Sequence, residues 1–337
     1  MESNRTSQTQ KTGEIKEIYP IDLPDLDYRA LSSTSENILT SLASNTYEGE
    51  RWFLPSNGSK GLTKTSNVGD RSVTCQTEPL HQVEVTHDNV GRLQLFGDDD
   101  PPCTLLTLHM PADGTQECYV FTVVALNLHG KWWSLNDVLK TSTKSRSGLV
   151  MVQSVMERVI LFLLSQIIFG VLERPSGEEI YFSPHPMREF GKILWHNGEA
   201  VGFYTIKKKG SLCDGFTRRS YQLSVLDTVF VRTQCRRSGL ALQILADFCK
   251  SLPNEEVIGI SCPISPSMIK VCSKYLQMHQ DQRDRLYEVE APGGWGQRRN
   301  IWLNIQLNRS TNSEALPRFG SGCTNAKAQV RSNVQQH

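Results

Sequence analysis

The stretch KILWHNGEAVGFYTIKKKG, Lys192 to Gly210, constrains the fold more than any other part of this chain. Two apolar runs flank Asn197-Gly198. Asn-Gly is the dipeptide that two-residue hairpin turns select, because both central residues need positive φ. The pattern predicts Gly191 to His196 paired antiparallel with Glu199 to Lys207, beside the strand ending at Val231.

The neighbours of that hairpin set the fold class. Before it, Val152, Val155, Met156, Val159, Leu163 and Ile167 are spaced for one apolar helix face. After it, YQLSVLDTVFV reads as a strand, RTQCRRSGLALQIL as a turn into a helix, NEEVIGISC as a strand, SPSMIKVCSKYLQ as a helix and NIWLNIQL as a last strand. Helix, hairpin, strand, helix, strand, helix, strand is a mixed α/β (α+β) layout with one βαβ unit. Upstream, HQVEVTHD, GRLQLFG, CTLLTLHM and CYVFTVVALNLHG are short β-prone runs broken by Gly, Asp and Pro. GKWWSLNDVLKTS reads as a strand end and a short helix capped by Ser134 or Asn136. YRALSSTSENILTSLAS is one further helix, and LPSNGSKGLTKTSNVGD reads as a linker. Four regions follow: a mostly disordered 1–72, a β-rich segment 73–147, an α/β domain 148–308 and a disordered tail 309–337.

Composition removes some classes of function. With 36 Lys+Arg against 35 Asp+Glu the net charge is +1, which supplies no field for nucleic acid or anionic lipid. The nine cysteines include no C-x-x-C pair and no nearby His cluster, so they read as reduced thiols of an intracellular protein, with no metal site. The N-terminus MESNRTSQTQKTGEIKE has no apolar stretch of the signal-peptide kind. The oily run Val159 to Leu172 contains Ser165, Gln166 and Gly170 and is shorter than the ~20 residues a span requires. It reads as a buried helix in a soluble intracellular protein, with no membrane span.

RTQCRRSGLALQIL, Arg232 to Leu245, raises the functional question. Gly239 and Ala241 fall in the expected first helical turn, where Gly costs ~1 kcal/mol relative to Ala. Helix N-termini present unpaired N–H groups and the positive end of the macrodipole. With no side chain at Gly239, a phosphate or pyrophosphate can approach those groups, and Arg236 and Arg237 add charge at the rim. The alternative is a glycine that only lets helix and strand pack closely. The spacing is neither G-x-G-x-x-G nor a P-loop.

Arg236-Arg237-Ser238-Gly239-Leu240-Ala241 resembles R/Q-x-x-G-x-G/A, the acyl-coenzyme A signature of the GNAT N-acetyltransferase superfamily. KILWHNGEAVGFYTIK resembles that superfamily's central hairpin, and EVIGISCPISPSMIKVCSKYL its following strand–helix unit. The likeness extends over about Tyr119 to Leu307. It implies a GNAT-like mixed sheet with flanking helices and a β-rich N-terminal extension. It implies acetyl-CoA as acyl donor, with the pyrophosphate on the N–H groups of Arg236 to Ala241. The pantetheine would lie along Val229, Phe230 and Val231 like an extra strand. The chemistry also needs a base and an acid. Asp227, among Leu223, Val225, Leu226, Val229 and Val231, fits a base whose pKa burial would raise; a structural Asp is the alternative. For the acid, the superfamily's Y-x-x-x-G-F context counted strictly falls on Cys272. Tyr275 lies one turn further on, and the Gly-Phe pair is absent. Either Tyr275 substitutes or the acid is missing. His185 and His196 read as ordinary histidines, and acceptor specificity falls to the loops Phe182 to Glu189 and Gly210 to Arg219.

KILWHNGEAVGFY, SYQLSVLDTVF and KWWSLNDVLKTS also resemble the family with sequence similarity 169, over roughly Val90 to Arg298. Its larger member is named a soluble lamin-associated protein; this chain is similar to its short member. That likeness implies a nuclear or nuclear-rim location and a nuclear protein partner, and no chemistry. Two functions stand: an acyl-CoA-binding, GNAT-like N-acetyltransferase of unknown acceptor, or a catalytically inactive GNAT-fold interaction protein.

Overall fold

The structure is a computed structural model that describes residues 17–44, 46–47, 52–55, 80–97, 102–110, 122–174, 183–213 and 218–313. Most of the expected linker and the tail from residue 314 lie outside the described residues.

Short polar side chains start the helices. Asp27 caps α1 (Tyr28–Ala43) by accepting the Ala30 N–H at 2.6 Å. A small antiparallel pair follows, β1 (Trp52–Pro55) with β2 (Leu80–Val83). Then β3 (Val90–Gln94), β4 (Thr104–Met110), β5 (Thr122–Leu128) and β6 (Lys131–Ser134) form an antiparallel meander. Ser134, one of the two residues expected to do so, caps α2 (Leu135–Val138).

The chain next enters a seven-stranded sheet. Its members are β7 (Gly148–Met151), β8 (Phe190–His196), β9 (Glu199–Lys207), β10 (Val225–Val231), β11 (Ile258–Ser261), β12 (Leu286–Val289) and β13 (Arg298–Asn300), in that spatial order. β10, β11 and β12 run parallel and the other pairs antiparallel. The hairpin β8–β9 turns at Asn197 (φ 53°) and Gly198 (φ 80°), the two positive angles the sequence predicts. Three helices connect these strands and a fourth follows the last. α3 (Val155–Phe162) starts at a Ser154–Glu157 capping box and continues as a π-helix over Leu163–Leu172. α4 (Leu240–Ser251) joins β10 to β11, α5 (Pro266–Met278) follows β11, and α6 (Ile301–Ser313) closes the described chain.

NIWLNIQL is therefore not a strand. Its apolar residues alternate, which reads as β, but Ile301 and Ile305 are one helical turn apart and buried (1% and 6% exposed). Leu303 and Leu307 point outward at 61% and 66%. The last strand is the polar β13 just before it, and α6 runs past the expected domain end to Ser313.

The core is layered. α1 covers one face of the meander with Ile38, Leu39 and Leu42 against Leu106, Leu108 and Trp132. α3 lies on the other, touching Leu105, Leu126 and Leu128. The far side of α3 packs on Ile193, Trp195, Phe203 and Phe230 of the large sheet. The opposite face of that sheet, with Leu194, Val201, Tyr204 and Leu226, packs on α4, α5 and α6. Val155–Leu172 passes for a membrane span by length and composition (18 residues, mean hydropathy 2.0), yet 67% of it is buried in this sandwich. The β-rich segment is thus one side of a shared core rather than a separate appendage.

Candidate functional site

Two irregularities on β10 make the site. The first is where its pairing to β11 ends. Val225 pairs with Gly259 and Leu226 with Ile260, and no later residue of β10 pairs with β11. From Asp227 to Val231 that edge has no strand beside it among the described residues. The second is a bulge. Leu226 pairs with Ile206 and Val229 with Tyr204 on β9, so β10 takes three steps where β9 takes two. The Thr228 N–H, displaced by the bulge, donates to Thr205 Oγ1 at 3.3 Å. Val229, Phe230 and Val231 thus follow a strand that turns away from β11 toward the start of α4.

The exit from β10 is pinned. Arg232 reaches Glu199 at 2.7 Å and Glu173 at 3.4 Å, and the Thr233 N–H donates to Glu173 Oε2 at 2.6 Å. The segment Arg236 to Ala241 then opens α4. The first bond of its ladder is Gln243 N–H to Gly239 O, 3.1 Å, so the N–H groups just ahead of it lack intrahelical acceptors; Arg236 departs from expectation, its N–H donating to Thr233 O at 3.3 Å. Arg236, Arg237, Ser238 and Gly239 are exposed, and Leu240 and Ala241 half-buried. Arg236 Nε donates to Val231 O at 2.9 Å, and its guanidinium lies 5.9 Å from the Phe230 ring centre. It braces the strand end.

Gly239 differs from expectation. It is the residue before the helix rather than part of the first turn, with φ +87°. The cost of an interior glycine therefore does not arise; left-handed backbone demands the glycine instead. Close packing is not its reason, because a Cβ there meets no atom within 4 Å.

The side chains named for chemistry separate into two places. Asp227 is half-buried on β10, and its Oδ1 accepts the Ser261 hydroxyl at 2.8 Å, across the gap where β10 and β11 part. Tyr275 and Cys272 face the core under α4. Burial raises the Tyr275 hydroxyl pKa, and the neighbouring Cys249 adds to the rise. Burial pushes the Cys272 thiol up to about 12. Cys272, fully buried, packs as a small apolar residue. No contact joins Tyr275 to Asp227: the former meets Cys249 and stacks on His279 at 4.4 Å.

Sequence reading passed over a buried charge cluster nearby. Glu189 sits 3.3 Å from His185 Nδ1 and 2.7 Å from Lys207 Nζ. Burial alone would raise its carboxyl, but His185 and Lys207 together hold it down at about 2. The Tyr221 hydroxyl is pushed up to about 12, by burial first, then by the Asp227 charge, with Glu189 adding to it. The H-x-x-x-E spacing of His185 and Glu189 was the available signal.

These features define a mixed α/β protein with an open strand edge running into a helix N-terminus. No protein-family model matches the chain. Mouse Protein FAM169B is 48% identical over 211 residues, 62% of this chain and 61% of that protein, so the match spans less than two thirds of the mouse relative. Human Protein FAM169BP is 44% identical over 150 residues, 42% of this chain and 77% of that protein. The chain belongs to the FAM169 family.

Proposed function

We propose that this protein binds an acyl-coenzyme A, with acetyl-CoA as the donor, on a GNAT-like fold, and acts as an N-acetyltransferase. One observation carries the reading: β10 loses its β11 partner after Leu226 and leads directly into a helix N-terminus with free N–H groups. An extended pantetheine arm matches the open edge at Val229 to Val231, and a pyrophosphate matches the N–H groups of Arg237 to Ala241, the Arg236 N–H being already given to Thr233 O. Asp227 stands at the head of that edge and is the residue we assign to the acyl end. The acceptor is set by the loops Phe182 to Glu189 and Gly210 to Arg219, of which residues 182 and 214–217 lie outside the described residues. We expect the protein in the nucleus or cytoplasm, the family likeness favouring the nucleus.

The direct test is calorimetric titration of the purified chain with acetyl-CoA and with desulfo-CoA. Saturable binding of both is expected. A folded, monodisperse protein unmoved by millimolar acetyl-CoA removes the reading. A second reading has its own support: the burial of Tyr275 against Cys249 leaves no acid at the acyl end. On that reading the chain is an interaction protein with a nuclear partner, and acetyl-CoA, if bound, is not turned over.

A further inference from the structure

The buried cluster around Glu189 is not used by the binding site just described. His185 lies in the loop between the π-helix and β8, with its side chain 10% exposed. Its ring packs edge-on against Phe203, 5.9 Å between centres at 73°, and Phe203 lies 6.0 Å from Phe230 of β10. Nδ1 lies 3.3 Å from Glu189 Oε1 without a hydrogen bond between them, and the carboxylate charge on that side favours the ring proton on Nδ1 and the lone pair on Nε2. That Nε2 is buried and has no hydrogen-bond partner. Arg158 Nη1 on α3 is likewise buried without a partner, and its guanidinium is within electrostatic reach of Glu189. With Glu189 Oε1 also unpaired, three buried polar atoms of this cluster, behind the strand assigned to the acyl donor, are arranged to meet a polar group.

We propose that His185 is the catalytic base, taking the proton of an incoming primary amine through Nε2, and that Glu189 is the positioning residue that fixes its tautomer. The proposal rests on the acyl-CoA reading above. Nε2 takes one proton from the ammonium. The freed lone pair forms the C–N bond at the thioester carbonyl, and the C–S electron pair goes to sulfur. A second amine proton passes to the thiolate directly or through solvent, and the imidazolium returns its proton to solvent. The charged groups around the ring are Glu189, then Lys207 on β9 and Arg158 on α3. Tyr221 is within reach of Glu189, and Asp227 of Tyr221. Arg158 and Lys207 against Glu189 and Asp227 leave the cluster with no net formal charge.

The experiment follows thiol release from acetyl-CoA by the full chain, with water and with glycinamide as acceptors, from pH 5.5 to 9. Acetyl-CoA affinity is measured beside it. For wild type, the rate should rise with pH as the imidazole loses its proton and then level. His185→Gln should keep the acetyl-CoA affinity and the melting temperature, lose about 100-fold in rate and lose the pH-dependent limb. Glu189→Gln, which keeps the shape and removes the anion, should lower kcat while leaving the KM for acetyl-CoA unchanged. A His185→Gln protein with wild-type turnover, or a limb abolished by Asp227→Asn instead, overturns the proposal. Wild type that binds acetyl-CoA but releases thiol no faster than buffer overturns the base and spares the binding reading. Wild type that does not bind removes both.

Discussion

Gly239 separates stability from binding more cleanly than any other position. Its φ of +87° lies where an L side chain costs ~1–2 kcal/mol, and a Cβ there meets nothing within 4 Å, so packing adds no further cost. Gly239→Ala should therefore lose ~1–2 kcal/mol and lower the melting temperature by roughly 2–8 °C for a chain of this size. Gly239→Asn should lose less, because asparagine enters the left-handed region more easily. Binding should follow a different order. Both side chains project where an anion has to approach the N–H groups of Ser238 to Ala241, and the larger asparagine obstructs more. Acetyl-CoA affinity should drop by tenfold or more in Ala and further in Asn, although Asn is the more stable variant. Thermal melts and calorimetry on the same preparations read both orders. An alanine variant as stable as wild type would contradict the backbone conformation; one that unfolds would restore a packing role. Two folded variants with undiminished acetyl-CoA affinity would sink the anion cradle.

Two further outcomes follow. Glu189 titrates at about 2 in the fold against ~4.3 in an unfolded chain, so it contributes roughly 3 kcal/mol above pH 4.5, lost as pH falls toward 2. Denaturation midpoints across that window should fall more steeply for wild type than for Glu189→Gln, and parallel curves would refute the buried cluster. Gly202→Ala would place a Cβ 2.5 Å from Phe230 O on the neighbouring strand, so a loss of ~1–3 kcal/mol is expected by urea denaturation. A neutral result would mean β9 and β10 are not in the register described.

The hairpin was legible because its turn is encoded in two adjacent residues, Asn197 and Gly198, whose backbone preferences need no tertiary context. The strand–turn–helix around Arg232 to Leu245 was legible for the same local reason. α6 was not. Ile301, Leu303, Ile305 and Leu307 satisfy a period of two, and only the packing of Ile301 and Ile305 beside α5 decides for a helix. The role of Gly239 was also hidden, since the sequence marks a glycine there but not that the helix begins one residue later. The end of β10–β11 pairing at Leu226 leaves no mark in composition or periodicity. It is a divergence between strands, and a single chain of letters describes only one strand at a time. His185 and Glu189 were visible as residues, yet their joint burial beside Lys207 depends on β9 crossing under the loop.

The helix shared by both sheets has a practical consequence for anyone shortening this protein. A fragment starting at Gly148, where the large sheet begins, would keep every residue of the proposed acyl-CoA site and still lose the cover over Leu163, Leu164 and Ile167, all buried at 4% exposure or less. Removing the meander turns that oily face toward water, the kind of contiguous patch that drives self-association. Such a fragment would collect in inclusion bodies or as soluble aggregates, and an absence of ligand binding measured on it would reflect the missing lid of its core.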